Sequence, residues 1–280
     1  MNIDRRSLFQ FFKYAVYALL ALNVYWFFVE EHAAAVLQFP AGVAAGEMFE
    51  AYASTLDTGA WVILLLMFEL ETSVLEDDHF TKPVVWTLHG VRVISYLFIV
   101  SAFNGYIANL VFTYNMLPLT GVSDLCTLVT EQWSYSVDID EYVALTASNC
   151  SELSSNVAFL QFTGLPAVVD APGLRDIQYL AWVDVINAAV WLVIVVVLET
   201  DVYLQERGHL EGLILRTSTW LKFLLYSILL IAAIYWGFKG DFVDFWDAFL
   251  WLVAFFFIEL NVVEWRQESL EQSAIRAESQ

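Results

Sequence analysis

The chain has 280 residues, of which 59% are hydrophobic and only 16% carry a charge. A soluble domain of this length cannot bury that much apolar surface in one core, so the composition excludes an ordinary globular protein. The formal net charge of -20 excludes nucleic acid as a partner and argues against polybasic docking on anionic lipid, because both need basic patches.

Six apolar runs with few charges approach the length that crosses a bilayer. In chain order they are Leu8–Val29, Ala60–Leu75, Val91–Tyr114, Tyr179–Leu204, Leu221–Phe238 and Phe242–Trp265, numbered here as spans 1 to 6. Span 2 is short, and we expect it to extend back through Tyr52–Gly59. The pattern predicts an all-α integral membrane protein with six transmembrane helices. Spans 1–3 would occupy residues 1–114, an extracytoplasmic segment residues 115–178, spans 4–6 residues 179–265, and a cytoplasmic tail residues 266–280.

The basic residues predict the orientation of the chain. Ten lie on one side of the predicted spans: Arg5, Arg6, Lys13, Lys82, Arg92, Arg207, Arg216, Lys222, Arg266 and Arg276. Two, Arg175 and Lys239, lie on the other. The positive-inside rule then places both termini in the cytoplasm, and we expect a bacterial or archaeal plasma membrane.

The N-terminus also resembles a twin-arginine signal peptide, with Arg5-Arg6 before an apolar run and a cleavage-like region at His32–Ala35. We interpret it as a retained first span, because its residue pattern matches the later spans.

The segment between spans 3 and 4, about Asn115–Ile177, has room to fold outside the membrane. It carries eight acidic residues against the single base Arg175. It also contains both cysteines, Cys126 and Cys150, which we expect to form a disulfide on the non-cytoplasmic side; two unpaired thiols are the alternative. The segment would form a small cap or a docking surface for a partner.

Spans 2, 4 and 6 share an ungapped pattern, which suggests an internal repeat. In each span an acid or amide stands four residues before a tryptophan, and a glutamate follows the tryptophan by eight. The three copies are Asp57, Trp61 and Glu69; Asn187, Trp191 and Glu199; Asp247, Trp251 and Glu259. A second oxygen-bearing residue follows each glutamate by two positions: Glu71, Asp201 and Asn261.

Spans 1, 3 and 5 also agree with one another, because each has a base four residues before a tyrosine: Lys13–Tyr17, Arg92–Tyr96 and Lys222–Tyr226. The protein is therefore expected to consist of three hairpins of the same orientation around a pseudo-threefold axis. Bases and glutamates near the cytoplasmic boundary predict three intramembrane ion pairs, namely Lys13–Glu69, Arg92–Glu199 and Lys222–Glu259.

The remaining oxygen-bearing positions have no base assigned to them by the sequence. Helical periodicity places Asp57, Trp61 and Glu71 on one stripe, and Glu69 on another face. Around a common axis, Glu71, Asp201 and Asn261 would form one ring, called here the inner ring. Asp57, Asn187 and Asp247 would form a second ring nearer the outside of the membrane, called the outer ring. Such oxygen ligands suit hard cations in a pore. The alternative is that the helix ends surface into water, where the acids are solvated.

Two functions follow from these patterns. The first is a cation channel or carrier that uses the acidic rings. The second is a non-catalytic accessory subunit that docks a partner through its outer segment or its helix faces, as a homo-oligomer or in a larger membrane complex. No nucleophile–base set or cofactor motif is present, so neither an enzyme nor a cofactor is expected. An acidic loop patch at Glu76–His79 with Glu206, His209 and Glu211 could bind a metal, but solvated loop charge is the simpler interpretation.

Overall fold

The computed structural model describes residues 5–71, 81–154, 158–207 and 212–255. The protein is mostly helical (75%). Its helices are α1 (Arg5–Gln38), α2 (Met48–Ala51), α3 (Ala53–Glu69), α4 (Lys82–Phe112), α5 (Cys150–Leu153), α6 (Ala171–Glu206), α7 (Gly212–Lys239) and α8, which covers residues 242–255.

Within the described ranges, four helices are long and apolar enough to cross a membrane: Leu8–Gln38, Lys82–Phe112, Ala171–Gln205 and Gly212–Lys239. They coincide with predicted spans 1, 3, 4 and 5. Helix α3 has 17 residues and begins at Ala53, in the segment by which we expected span 2 to extend. Span 6 is helical over residues 242–255, and its remaining residues lie outside the described ranges.

The structure divides into two compact units, which we describe separately. The terminal unit comprises Met1–Asn23 and Phe223–Gln280, and the central unit comprises Val24–Lys222. In the terminal unit, Gly237 of α7 approaches α8 so closely that a Cβ there would lie 3.2 Å from the ring of Phe245. The rings of Tyr226 and Phe255 lie 6.3 Å apart. These contacts between small and aromatic residues hold α7 against α8.

In the central unit, α4 packs against α2 and α3 through a glycine. A Cβ built on Gly105 would overlap the carbonyl oxygen of Phe49, and it would lie 2.7 Å from the carbonyl carbon of the same residue. It would also lie 3.2 Å from the Cβ of Ala53. Only a residue without a side chain permits two helix backbones to approach this closely.

The segment between α4 and α6 folds as a five-stranded sheet, which the sequence analysis did not predict; an all-α fold is therefore incomplete. The strands are β1 (Met116–Leu119), β2 (Ser134–Ser136), β3 (Tyr142–Ala144), β4 (Phe159–Phe162) and β5 (Ala167–Asp170), in the order β1-β4-β5-β2-β3. Strands β2 and β5 are parallel, and the other pairs are antiparallel. We call residues 116–170 the sheet domain. Strands of three or four residues carry too little alternation to be recognised from sequence.

The sheet is covered on both faces. On one face, Phe162, Ala167 and Val169 pack with Phe112 of α4 and Ile177 of α6. On the other, Phe159 and Val168 pack with Leu125 and Leu128 of a 3₁₀ helix (Leu125–Glu131). The alternation along β5 follows the two-residue period of a strand. The sheet domain thus has its own apolar core and rests on helix ends.

The predicted disulfide is confirmed. Cys126, in the 3₁₀ helix, bonds to Cys150 of α5, across a sequence separation of 24 residues. It ties together two short helices that would contribute little cohesion by themselves. A polar contact then fastens the domain to α1, where Gln38 donates to the carbonyl of Ile139 at 2.8 Å. Gln178 of α6 donates to the carbonyl of Thr113 at the end of α4 at 3.2 Å, which joins these two helices beneath the domain.

Candidate functional site: buried carboxylates and their partners

The two acids of the inner predicted ring that the structure describes are both paired with bases. The guanidinium of Arg92 on α4 lies 2.7 Å from a carboxylate oxygen of Glu71. The ammonium of Lys222 on α7 lies 3.3 Å from Asp201 of α6, which also accepts a 2.6 Å hydrogen bond from the hydroxyl of Ser218. The expectation that these acids have no bases is therefore wrong.

The predicted pairing of Arg92 with Glu199 is also wrong. Glu199 instead accepts a hydrogen bond from the hydroxyl of Tyr96 at 2.8 Å, one turn along α4 from Arg92. The base thus meets the acid on the preceding helix, and the tyrosine meets the glutamate on the following one. The sequence pattern gives the face that each side chain occupies on its own helix, and the packing of α4 between its neighbours decides which acid lies opposite Arg92.

Two further ion pairs stay predictions. Lys13 and Glu69 are both buried, each 5% exposed, and they lie in different units. Glu259, the predicted partner of Lys222, lies outside the described residues, as does Asn261 of the inner ring. A cytoplasmic metal patch falls mostly on residues 76–79 and 208–211, which are also outside the described ranges. Among the described residues, no group of three or more potential ligands could hold a metal ion.

The outer predicted ring is built into side-chain networks. The indole of Trp61 donates to Asp57 at 3.1 Å, and the hydroxyl of Tyr106 lies 3.4 Å from the same carboxylate. In the terminal unit, Asp247 accepts from the indole of Trp251 and, at 2.9 Å, from the amide of Asn23. The same acid–indole bond, four residues apart, therefore occurs on α3 and on α8, as the i,i+4 spacing permits.

Asn187, the third member of the outer ring, differs from the two acids. Its Oδ1 is buried and accepts no hydrogen bond from the described part of the chain. Trp191, four residues later, instead contacts Trp61 of α3, with ring centroids 5.7 Å apart. A buried, unsatisfied amide oxygen is costly, so this position calls for a water molecule or a cation.

A further buried carboxylate, Glu31 of α1, was missed by the sequence analysis. It is 5% exposed and accepts from the backbone N–H groups of Ser54 and Thr55 at 2.7 and 3.0 Å, and from the hydroxyl of Thr55 at 2.6 Å. These amides belong to the first turn of α3. Glu31, which lies on α1, therefore caps the N-terminus of α3 and interacts with the positive end of its helix dipole. The available signal was an acid two residues beyond the end of predicted span 1.

An apolar cavity of about 410 Å³ lies beside this cap. Its walls come from the last turns of α1, the 39–47 connection and the start of α3, and include Phe28, Val36, Phe39 and Leu56. One edge is polar, where Nδ1 of His32 lies 3.0 Å from the hydroxyl of Tyr52. The volume falls in the lower range of ligand-binding cavities.

A polar junction joins the sheet domain to α6. Asp170 ends β5, is 6% exposed, and caps α6 by accepting from the N–H of Gly173 at 2.6 Å. Burial, together with the carboxylate of Asp170, raises the pKa of Tyr135 to about 12. Burial also raises the pKa of Tyr142, whose hydroxyl is bound by Gln38. The sheet domain is thus locked to the helices by neutral phenols and one buried acid.

The surface of the sheet domain is acidic. Four of its acids are exposed, at Asp124, Glu131, Glu141 and Glu152. Of the seven acids in residues 116–170, Asp170 is used inside the fold, and the other six shape the electrostatic field around the domain.

No protein-family model, curated protein or solved structure matches the chain.

Proposed function

We propose that the protein is a non-catalytic membrane subunit, in which a rigid helical bundle presents an acidic, disulfide-closed domain to a partner on the non-cytoplasmic side. The observation that carries this proposal is that the intramembrane acids form specific side-chain networks. Glu71, Asp201 and Glu199 bind Arg92, Lys222 and Tyr96, respectively. Acids that are bound to side chains of neighbouring helices determine which helices pair, and this is a structural role.

The proposal includes six transmembrane helices, in three hairpins, with both termini in the cytoplasm of a bacterial or archaeal cell. Two repeated interactions support the hairpin repeat. A base on one helix binds an acid near the end of the preceding helix in both Arg92–Glu71 and Lys222–Asp201. The acid–indole hydrogen bond also recurs on α3 and α8. A pseudo-threefold arrangement of the hairpins stays a prediction.

The sheet domain supports the docking role. It is covered on both faces by apolar side chains, is closed by a disulfide, and is fastened to α1 through Gln38 and to α6 through the cap that Asp170 forms on Gly173. A domain held this firmly presents its surface in one orientation, which lowers the entropy cost of binding. Its exposed acids favour a partner with a basic surface.

The docking proposal is tested in membranes from the source organism. The neutral variant Asp124→Asn/Glu131→Gln/Glu141→Gln/Glu152→Gln removes the exposed charge of the sheet domain. We expect the wild-type protein to migrate as a larger assembly on native gels and the variant to lose that assembly, with the wild-type assembly weakened by salt. A wild-type protein that always migrates as a single chain would contradict the proposal.

The pairing of the intramembrane charges has its own test. Arg92→Ala should destabilise the bundle by about 1–2 kcal/mol, because it leaves a half-buried carboxylate without its base. Adding Glu71→Gln should recover part of that loss, whereas adding Glu199→Gln should not. Thermal unfolding in detergent measures all three variants. Rescue by Glu199→Gln instead of Glu71→Gln would reverse the assignment of partners.

A cation path is the second candidate, and the unsatisfied oxygen of Asn187 favours it. A path through the outer ring would use this oxygen and the carboxylate of Asp57 as ligands. Cation flux into liposomes under a gradient should then appear with the wild type and disappear with Asp57→Asn/Asn187→Ala. If liposomes containing the wild-type protein show no flux of monovalent or divalent cations, the cation path is excluded and the docking function is the one retained.

A further inference from the structure

With α1 in the membrane as proposed above, the cavity beside Glu31 lies at a level that membrane lipid can reach. It is built from the last turns of α1, which belongs to the membrane-like helix Leu8–Gln38. Two of its lining side chains on that helix, Phe28 and Val36, are 44% and 66% exposed. The end of the same helix is bound to the sheet domain through Gln38. The cavity therefore opens on the helix flank just below that domain, where a bilayer places its head groups and upper acyl chains.

The polar edge of the cavity always retains one hydrogen-bond donor. A neutral imidazole has one N–H and a phenol has one O–H. His32 and Tyr52 share a single hydrogen bond of 3.0 Å, which uses one of these two hydrogens. Whichever tautomer is present, the other hydrogen stays available to an acceptor oxygen, because the side chains of His32 and Tyr52 make no further hydrogen bond within the described chain.

The aromatic rings at this edge keep the donor pair in place. The rings of Phe28 and His32 are stacked at 5.4 Å with an interplanar angle of 11°, and those of Phe28 and Tyr52 at 5.8 Å with 15°. The nearby hydroxyl of Thr55 donates to Glu31, so its hydrogen is already used. An occupant would thus meet a hydrocarbon interior with one oriented donor at its rim.

We propose that this cavity binds the hydrocarbon chain of a long-chain fatty acyl amphiphile, with a carboxyl or ester oxygen accepting a hydrogen bond from the His32–Tyr52 pair. The bilayer supplies this chemistry at the level of the cavity, and the cavity volume of about 410 Å³ falls within the range of ligand-binding sites. A free fatty acid and a phospholipid acyl chain share this chemistry, and the experiment distinguishes them.

The site is tested by photo-crosslinking in phosphatidylcholine vesicles. One sample contains a long-chain fatty acid with a diazirine in its tail, and a second contains phosphatidylcholine with the same diazirine chain. We expect adducts on the cavity-lining residues of α1, and the sample that gives them identifies the source. Val36→Trp should fill the cavity and abolish these adducts, whereas Val29→Trp, two turns earlier on α1 and outside the cavity lining, should not.

The polar contact is tested separately with His32→Phe/Tyr52→Phe, which removes both donors and keeps the aromatic wall. Loss of one hydrogen bond of about 1 kcal/mol should weaken labelling by the oxygen-bearing probe about fivefold. A diazirine alkane without a head group should label wild type and variant equally. Intact Cys126–Cys150 disulfide and unchanged thermal unfolding show that each variant is folded. Equal labelling of wild type and Val36→Trp, or adducts located elsewhere, would overturn the proposal.

Discussion

Replacing Gly105 by alanine tests the closest helix contact in the central unit. A Cβ at this position would overlap the carbonyl oxygen of Phe49 and lie 2.7 Å from its carbonyl carbon, whereas ordinary contact begins at 3.4 Å. The obstacle is backbone and cannot rotate away, so α2 and α4 would have to separate. Overpacking of this kind costs at the upper end of its usual range, about 3 kcal/mol. We expect the midpoint of thermal unfolding to fall by on the order of 10 °C.

Gly90→Ala is the matched control, because Gly90 lies on the same helix and a Cβ there meets nothing within 4 Å. That substitution should be neutral or should stabilise the helix by about 0.5–1 kcal/mol, since alanine loses less backbone entropy than glycine. Thermal unfolding of the purified protein in detergent, followed by near-UV circular dichroism, compares the two variants directly.

The side chain of Phe49 provides a second criterion. Because its carbonyl is the obstacle, adding Phe49→Ala to Gly105→Ala should not restore stability. Equal midpoints for Gly105→Ala and Gly90→Ala, or rescue by Phe49→Ala, would show that α2 does not lie against α4 in this way.

Three other predictions concern the cap of α3, the sheet domain and its disulfide. Glu31→Gln should lower the free energy of unfolding by about 1–3 kcal/mol, because the amide has one acceptor oxygen for donors that now use two; Glu30→Gln, at an exposed position, should change it little in the same thermal assay. The pKa of Tyr135 is raised from its ordinary value of 10.0 to about 12, so its neutral form contributes stability that is complete below pH 10 and is lost as pH rises through 12; Tyr135→Phe should remove this part of the alkaline transition measured by circular dichroism, and an unchanged transition would refute it. Cys126→Ser/Cys150→Ser should cost about 3.5 kcal/mol from loop entropy, and denaturant unfolding that is insensitive to reductant would contradict this.

Local interactions were the part of the structure that could be read from sequence. Long apolar runs predict helices because a backbone in a bilayer must satisfy its own hydrogen bonds, and the four long apolar helices agree with that. The i,i+4 spacing placed Asp57 and Trp61 on one stripe of a helix, and the structure adds the hydrogen bond between them. The disulfide followed from two cysteines within one polar segment. Each of these inferences compares residues that are near in the chain or have no alternative partner.

What only the tertiary structure decided is which distant groups meet. The sequence analysis paired Arg92 with Glu199, but in the folded chain Arg92 lies beside Glu71. The sheet joins strands of three or four residues, one pair of them parallel, so its stability comes from burial of both faces and not from local alternation. The cap that Glu31 provides and the cavity beside it likewise form only when α1 packs against the start of α3. Periodicity determines which face a side chain occupies, but helix packing determines what stands opposite that face.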